Sequence, residues 1–361
     1  MEIQEYLKDQ EKRVSAAGRR IVEPKVFDFS YVPERPLMRD ELKPVIDSLL
    51  RFEQTGIPNH LLIVGSRGCG KTLCMRHLER LFSKRRLAVL YGNCRIHNTS
   101  YKLLARFVGT HARGLSFAEL VERFTAAHPG KTVVVLDEVD LLSDKDRNRE
   151  ILYFLSRSSV RYMAVALSNN PRWAASLDES TQSTLQPEQV YFRPYTPVEM
   201  RQILLDRARI GLSEVAEEVV EQIAAQTVKY TDSDVRVAIK ALYYWAAEPE
   251  TPVQESFHRA RKDVVGEVVA HLNDKNLLIL KAAALADGPV KQVYRAYRRL
   301  CNEQREEPFS YVYFSSSLSY LQSLGLILLI TTKVRRAYTR LIQLTFPPEV
   351  LEKVWRYRFE G

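Results

Sequence analysis

A glycine-rich stretch followed by a lysine and a hydroxyl residue is the part of this sequence best suited to chemistry. Residues 61–72 read LLIVGSRGCGKT, a complete match to the pattern GxxxxGK[ST]. Glycines in such a loop adopt backbone conformations closed to other residues, so that consecutive N–H groups point at an anion. Lys71 is then placed to reach the β- and γ-phosphates of a nucleotide, and the Thr72 hydroxyl to ligate a magnesium ion. The stretch predicts a phosphate-binding loop.

Two acidic residues at the end of an apolar run form a second candidate group. The run VVVLDE ends in Asp137 and Glu138. A strand that delivers carboxylates to the carboxyl edge of a parallel sheet supplies what nucleotide hydrolysis needs: Asp137 for the magnesium shell and Glu138 to polarise the attacking water. Asn169 ends the next apolar run, where it either orients that water or caps a turn.

Arg236 lies in TDSDVRVAI, just inside the expected start of a helix. The positive end of a helix dipole disfavours a cation there, so its position indicates an anionic partner. That partner is either the γ-phosphate of a nucleotide or a nearby carboxylate, Asp232 or Asp234. The residues alone leave both interpretations open.

The elements that must position these residues alternate between strands and helices in the first half of the chain. Unbroken apolar runs precede Gly65, Asn93, Asp137 and Asn169, and helical stretches separate them. Such runs are typical of an α/β fold with a parallel sheet covered on both faces. Two of the helical stretches, 99–108 and 116–127, intrude between strands that a minimal nucleotide-binding core connects directly.

The second half of the chain predicts helices and then a hairpin. Thr196, Pro197 and Glu199 form a strong helix start, with a capping box and a proline at the first helical position. Further on, helices over 277–286, 290–304 and 311–324 precede strands over 326–331 and 339–345, the pattern of a winged helix-turn-helix. The expected domains are 1–195 (nucleotide-binding core with an N-terminal arm), 196–270 (helical lid and linker helix) and 271–361 (winged helix).

Charge and composition narrow the class of protein. The 361 residues carry a formal charge of +9, and residues 270–361 hold 14 Lys and Arg against 8 Asp and Glu. This excess favours a polyanionic partner and points to the C-terminal quarter. The four cysteines show no CxxC spacing, which argues against a zinc site or a disulfide framework. No apolar run approaches the length of a membrane span, so we expect a soluble, cytoplasmic protein with no membrane partner.

Taken in order, these motifs carry a resemblance to a known family. GSRGCGKT, VVVLDEVD, LSNN and SDVR, followed by a winged helix, resemble the AAA+ initiator clade, specifically the archaeal replication initiators of the origin recognition complex and cell division control type. Stretches such as YVPERPLMRDEL and NCRIHNTSYKLL are similar as well. The resemblance covers nearly the whole chain. It implies an α/β fold: an AAA+ αβα core with a parallel sheet, an all-helical lid and a C-terminal winged helix-turn-helix domain.

The resemblance also implies roles for individual residues. Lys71 and Thr72 match the Walker A residues, Asp137 and Glu138 the Walker B pair, and Asn169 the first sensor. Arg236 matches the second sensor, and the implied cofactors are ATP or ADP with Mg²⁺, held through Thr72 and Asp137. The nucleotide-binding residues implied in this way are Tyr31, Val32, Gly65, Gly68, Cys69, Gly70, Lys71, Thr72, Leu73 and Arg236.

The function that the resemblance implies is that of a replication initiator. Such a protein binds duplex DNA at an origin, acts as a slow ATPase switch, and recruits the replicative MCM helicase, with other initiator paralogues as further partners and the nucleoid as its location. One departure concerns the stretch LDESTQSTL, where the family usually carries an arginine finger and this chain has Ser180. The alternatives are a nucleotide-bound DNA-binding regulator with little or no ATPase activity and a clamp-loader-like AAA+ motor.

DNA contacts are expected mainly in the winged helix. In the helix 311–324, Val312, Leu318, Leu321 and Leu324 are expected to face the core. This helix has no Arg or Lys, which predicts binding dominated by the DNA backbone. The expected DNA-binding residues are Arg113 in the insertion, Tyr313, Ser315, Ser316, Lys333, Arg335, Arg336 and Arg340. A winged helix that binds a protein is the alternative.

Overall fold

The computed structural model describes most of the chain. The described residues are 4, 20–85, 87–109, 114–143, 146, 149–159, 161–171, 173–248, 250–286, 288–334 and 337–360, with the backbone alone at 333, 334, 337 and 338. The predicted DNA contacts Arg113, Arg335 and Arg336, and the side chain of Lys333, therefore lie outside the described residues. The chain divides into two structural units, one of residues 32–65 and 69–194 and the other of the remaining residues.

The first unit is built on a five-stranded parallel sheet. Its strand order is β2-β3-β4-β1-β5. The strands are β1 (Leu61–Gly65), β2 (Ala88–Asn93), β3 (Thr132–Asp137), β4 (Tyr162–Ser168) and β5 (Glu188–Phe192). The α/β class and the parallel sheet predicted from the apolar runs are thus confirmed, whereas the edge strand β5, whose residues alternate in burial, was not predicted.

Helices cover the sheet because its central strands are apolar on both faces. Every residue of β3 and β4 is buried, and two separate apolar clusters pack on the two faces. The helices of this unit are α1 (Leu42–Thr55), α2 (Lys71–Phe82), α3 (Ser100–Val108), α4 (Phe117–Ala127), α5 (Glu150–Arg157) and α6 (Glu179–Leu185). Ser116 and Glu119 form a capping box at the start of α4.

The register of the strands gathers their polar ends at one edge of the sheet. Asn93 at the end of β2 is paired with Asp137 at the end of β3. On the other side of the sheet Gly65, the last residue of β1, is paired with Phe192 of β5. Because all five strands are parallel, the segments that follow β1, β3 and β4 emerge from this same carboxyl edge.

The second unit begins with a group of helices. They are α7 (Pro197–Gly211), α8 (Glu217–Tyr230), α9 (Val235–Ala247) and α10 (Val253–Ala270). The predicted start of α7 is confirmed, since Thr196 and Glu199 form both hydrogen bonds of a capping box and Pro197 is the first helical residue. The domain boundaries at 195/196 and 270/271 stay predictions.

The winged helix follows with its own apolar core. Its elements are α11 (Asp274–Ala286), α12 (Val290–Glu303), α13 (Tyr311–Ser323), β6 (Ile327–Val334), β7 (Ala337–Leu344) and α14 (Pro348–Trp355). The two strands form an antiparallel hairpin, and the core joins Leu318 and Leu321 of α13 to residues of α11, α12 and α14. The predicted burial of Val312 is wrong: its side chain is 79% exposed, because Phe314 occupies the core at this turn of α13.

Two further properties of the chain bear on its class. The cysteines are all buried and form no disulfide. In the part of the chain that the structure describes, no helix is both long enough and apolar enough to cross a bilayer.

Candidate nucleotide site and winged-helix surface

The predicted phosphate-binding loop joins the end of β1 to the start of α2. Gly68 and Gly70 have φ angles of +73° and +91°, a left-handed region that favours glycine. Gly65 is required for a different reason: a Cβ there would lie 2.5 Å from the carbonyl oxygen of Phe192. Gly70 is the N-cap of α2, so the positive end of this helix faces the loop, as an anion site requires.

Lys71 and Asn169 meet at the carboxyl edge of the sheet. The Lys71 side chain is buried, and its Nζ donates to the Gly65 carbonyl oxygen at 2.7 Å and to Asn169 Oδ1 at 3.0 Å. The amide of Asn169 is therefore directed at the lysine of the loop rather than at a turn of its own. Two sequence-predicted residues that are 98 positions apart form one polar contact.

Asp137 is held by three neutral donors. Its Oδ2 accepts a hydrogen bond from the Thr72 hydroxyl at 2.8 Å and another from the Tyr91 phenol. Its Oδ1 accepts from the backbone N–H of Glu138 at 2.9 Å. The carboxylate is almost fully buried and forms no salt bridge with any described residue. A buried carboxylate beside an exposed hydroxyl, without a cationic partner, is a donor set suited to Mg²⁺.

Tyr91 is a site residue that the sequence analysis missed. It lies on β2, and burial raises the pKa of its phenol, so the group remains a proton donor to Asp137 at neutral pH. The Arg76 guanidinium stacks on the Tyr91 ring, 3.3 Å from its centroid. Only the parallel pairing of β2 with β3 brings Tyr91 to Asp137, which no local motif indicates.

Glu138 has an unusual backbone conformation. Its φ of +54° and ψ of +46° place a non-glycine residue in the left-handed region, which costs on the order of 1 kcal/mol. The side chain accepts a hydrogen bond from Asn93 Nδ2 at 3.2 Å. Both features fix the direction of the carboxylate that was predicted to polarise water.

Asp140 supports the Asn169 segment. Its Oδ1 accepts from the Ser168 hydroxyl at 3.0 Å and from the Asn169 N–H at 3.3 Å. Its Oδ2 is buried and has no hydrogen-bond partner among the described residues. The last acidic residue of VVVLDEVD thus orients the end of β4, a role that sequence reasoning did not assign.

A buried arginine, Arg39, holds the backbone of the phosphate-binding loop in place. Arg39 donates to the carbonyl oxygen of Cys69 at 3.0 Å and to that of Arg193 at 2.8 Å. It also forms a salt bridge with Glu41. Of the predicted contact residues, Cys69 in the loop is buried and Leu73 in the first turn of α2 is half-buried.

These residues fit a nucleoside polyphosphate with Mg²⁺. The loop offers glycines, a helix N-terminus and Lys71 to the phosphates, and Thr72 and Asp137 offer oxygen donors to the ion. Among the described residues there is no group of three His, Cys, Asp or Glu that could hold a metal by itself.

Arg236 is paired with a carboxylate of its own unit. Its Nε lies 2.9 Å from Oδ1 of Asp234, the residue that caps α9. The carboxylate pair is therefore present, and a contact of Arg236 with a γ-phosphate stays a prediction. In the same unit, a Cβ on Gly68 would lie 2.1 Å from Asp234 Oδ1, so the start of α9 lies directly against this part of the loop.

The segment that ends at Tyr31 is held by Arg207 of α7. This buried guanidinium donates to the carbonyl oxygens of Val26, Asp28 and Tyr31 and lies 5.2 Å from the centre of the Tyr31 ring. Burial lowers the pKa of Arg207 to about 10, so the group stays charged at neutral pH. Val32, the neighbouring residue that the resemblance also implied in nucleotide binding, belongs to the other unit.

The predicted DNA-binding residues of the winged helix lie on its surface. Tyr313 is 52% exposed, and Ser316 and Arg340 are exposed. The hydroxyl of Ser315 donates to the carbonyl oxygen of Tyr311 at 2.9 Å, an internal bond of α13. Ser180, at the place of the expected arginine finger, is exposed near the start of α6.

The fold combines an AAA-type core with a C-terminal winged helix. Residues 57–168 match the family model of an AAA domain, and residues 267–354 match that of the CDC6 C-terminal winged helix domain. These matches confirm the AAA core and the winged helix that the sequence motifs predicted.

Relatives extend the likeness to nearly the whole chain. The ORC1-type DNA replication protein 1 of Archaeoglobus fulgidus is 28% identical over an alignment that covers 91% of this chain and 88% of the relative. The ORC1-type DNA replication protein of Thermococcus kodakarensis is 27% identical over an alignment that covers 94% of this chain and 92% of the relative. The resemblance to the archaeal origin recognition complex and cell division control type of protein is thereby confirmed.

Solved structures share the fold. The Aeropyrum pernix ORC1 protein, determined in complex with DNA, superposes with a TM-score of 0.70 at 24% identity, covering 95% of this chain and 98% of that chain. CDC6 of Pyrobaculum aerophilum gives a TM-score of 0.58 at 24% identity, with 94% and 100% covered.

Proposed function

We propose that this chain is an ATP- or ADP-binding initiator of DNA replication that binds duplex DNA at a replication origin. The observation that carries the proposal is the meeting of Lys71 with Asn169, and of Thr72 with Asp137, at one sheet edge of a chain that ends in a winged helix. Similarity to ORC1-type DNA replication proteins over more than nine-tenths of the chain supports the same assignment.

Each residue of the site has a proposed task. Lys71 donates to the β- and γ-phosphates, and Thr72 and Asp137 hold Mg²⁺, which when bound neutralises charge on the phosphates. Glu138 accepts a hydrogen bond from the attacking water, with its direction fixed by Asn93. Asn169 keeps the Lys71 amine in place. We also propose that Gly65, Gly68, Cys69, Gly70 and Leu73 line the phosphate site, that Tyr31 and Val32 contact the adenine, and that Arg236 exchanges Asp234 for the γ-phosphate.

Hydrolysis is proposed to be slow. An arginine finger raises the rate of phosphoryl transfer by about 10³–10⁵, and Ser180 offers only a neutral hydroxyl at the place where the family carries that arginine. A slow ATPase suits a conformational switch better than a motor.

The proposed partners follow from the same assignment. Tyr313, Ser315, Ser316 and Arg340 of the winged helix contact origin DNA, together with Lys333, Arg335, Arg336 and Arg113. The DNA-bound protein recruits the replicative MCM helicase, alone or with other initiator paralogues. It acts in the cytoplasm, associated with the nucleoid.

The test compares single-turnover hydrolysis by the native chain and by Glu138→Gln, with Glu150→Gln as a control. Glu150 is an exposed acidic residue at the start of α5, so its variant carries the same change in charge away from the site. We expect the Glu138 variant to bind ATP with unchanged affinity and to hydrolyse it at least tenfold more slowly, and the control to behave as the native chain. Absence of nucleotide binding by the native chain would reject the proposal.

A second candidate function is favoured by Ser180: a DNA-bound regulator that retains nucleotide without turning it over. The same experiment decides between the two. Equal rates for the native chain and Glu138→Gln, with both chains binding nucleotide, would support the regulator and exclude the ATPase switch.

A further inference from the structure

Helix α12 (Val290–Glu303) carries a continuous basic face. Lys291, Arg295, Arg298 and Arg299 are all exposed, and their spacing of four, three and one places them on one side of the helix. Between Lys291 and Arg299 the face extends about 12 Å along the helix axis. The only acidic residue of the helix is Glu303, at its C-terminal end.

This positive charge is largely uncompensated. Among residues 250–286, 288–334 and 337–360, Lys291, Arg295 and Arg298 have no ion-pair partner, and Arg299 has Glu303 at 3.6 Å. By contrast, Lys281 of α11 is bound to Glu352 at 2.6 Å. Lys291 lies in the first turn of α12, where the helix dipole opposes a cation. A basic surface maintained without internal counter-ions favours an external anion.

The basic face borders the exposed start of α13. Tyr294 of α12 contacts the ring of Tyr311 at a centroid distance of 5.1 Å, and its hydroxyl donates to the Phe309 carbonyl oxygen at 3.0 Å. Lys291 and Arg298 are three residues before and four after Tyr294, so they lie on the same side of the helix. Lys291 and Arg298 therefore lie on the side of α12 that meets the start of α13.

The first turn of α13 is suited to a DNA groove. Its N-terminal residues Tyr311, Val312 and Tyr313 are 44%, 79% and 52% exposed. Residues 311–323 contain no Lys or Arg. If α13 enters a groove, the cations that neutralise the adjacent phosphates must come from another element, and α12 is the helix in contact with its start.

We propose that the basic face of α12 binds the phosphate backbone of duplex DNA beside the groove that receives α13. In helix-turn-helix proteins the N-terminal residues of the second helix read base edges while the first helix crosses the backbone. Here α12 is the first of the two helices and α13 the second. The contacts are independent of sequence, since they go to phosphates. This inference rests on the proposed DNA binding and assigns part of it to side chains outside the recognition helix and the wing.

The test measures the affinity of the full chain for a labelled duplex over a series of salt concentrations. The variant is Arg295→Ala with Arg298→Ala, a change that preserves helix propensity. The control is Lys353→Ala with Arg356→Ala, which removes the same charge from exposed residues at the end of α14. A third chain, Arg295→Lys with Arg298→Lys, keeps the charge in place.

We expect the slope of log affinity against log salt to fall by about 2 for the alanine variant. We expect its affinity near 0.1 M salt to fall roughly tenfold or more. The lysine variant and the α14 control keep the native slope. An unchanged slope in the alanine variant, or an equal fall of the slope in the control, overturns the inference. The basic face of α12 would then contact solvent or an acidic protein and not DNA. Absence of duplex binding by the native chain at low salt overturns the proposed function as well, so the two failures are distinguishable.

Discussion

The nucleotide site and the basic face of α12 hold their charged groups in opposite ways. At the sheet edge, Lys71 is bound by Gly65 and Asn169, and Asp137 by Thr72 and Tyr91, so each charge is buried and oriented before any ligand arrives. On α12, Lys291, Arg295 and Arg298 extend into solvent. The first arrangement gives geometric specificity. The second gives affinity that depends on salt and not on sequence.

The largest effect is expected from acid, on the sheet that carries the nucleotide site. His60, directly before β1, is buried and accepts a hydrogen bond from the Ala164 N–H at Nδ1. Burial lowers the pKa of His60 from 6.5 to about 4. Between pH 6.5 and 4 this histidine therefore binds a proton in the unfolded chain but not in the folded sheet. Its contribution to the free energy of unfolding is complete above pH 6.5 and is lost as the pH falls toward 4.

The loss should reach about 3 kcal/mol of unfolding free energy below pH 4. Denaturant unfolding at pH 7.5 and pH 4.5 measures it, with His60→Gln as the variant that should flatten the profile. His258 is exposed, so His258→Gln should retain the native pH dependence. Identical profiles for the native chain and His60→Gln would exclude a sheet stabilised by neutral His60.

Replacement of Lys71 tests the preassembled site directly. Lys71→Ala removes a charged hydrogen-bond donor, worth about 1.5–3 kcal/mol, so ATP and ADP binding should weaken roughly 10- to 100-fold. Lys84→Ala, an exposed change two residues beyond α2, should leave binding as it is. Titration with a fluorescent nucleotide measures both chains. Native affinity in Lys71→Ala would place the phosphates elsewhere.

Tyr91→Phe tests whether neighbouring donors orient the magnesium ligand. Loss of the phenol leaves Asp137 with the Thr72 and Glu138 donors, and we expect about a tenfold rise in the Mg²⁺ concentration needed for tight nucleotide binding. Nucleotide binding in excess chelator should not change, which separates this role from a general loss of structure.

The Tyr101 hydroxyl donates to the Leu115 carbonyl oxygen away from the site, so Tyr101→Phe is the matched control. Equal Mg²⁺ dependence of the native chain and Tyr91→Phe would show that Tyr91 does not orient the magnesium ligand Asp137.

The smallest change in the free energy of unfolding is expected at the exposed basic face of α12. Arg298 has no described partner, so Arg298→Ala should change the free energy of unfolding by less than about 0.5 kcal/mol. Thermal or denaturant unfolding checks it. A loss above 1 kcal/mol would mean that the α12 arginines stabilise the fold and are not held for an external ligand.

How far the sequence predicted the site depended on whether its residues are adjacent in the chain. Two contiguous motifs predict the chemistry of their residues from spacing alone: Lys71 with Thr72, and Asp137 with Glu138. Because both motifs lie at strand ends, they were expected to meet at the carboxyl edge of the sheet. Tyr91 and Arg39 were missed because their contacts arise from strand register and a long-range approach, which a single sequence does not specify.

The same contrast explains the error at Val312. Three of the four residues predicted to face the core from α13 are buried, but the first turn of this helix packs through Phe314 instead. Helical spacing alone does not fix which residue of a terminal turn is buried, because neighbouring elements decide it. The spacing of the basic residues of α12 is present in the sequence. Only the structure shows that this helix contacts the start of α13 through Tyr294.

If the proposed slow ATPase is a conformational switch, bound nucleotide sets the DNA-binding state of the chain, and we propose that it does. The most direct measurement is the affinity of the full chain for origin-like duplex DNA with Mg²⁺ and either ADP or a non-hydrolysable ATP analogue, at several salt concentrations. We expect salt-dependent binding whose affinity differs about fivefold or more between the two nucleotides, a coupling of roughly 1 kcal/mol. We also expect Lys71→Ala to lose this difference. Equal affinity with both nucleotides in the native chain would contradict the proposal.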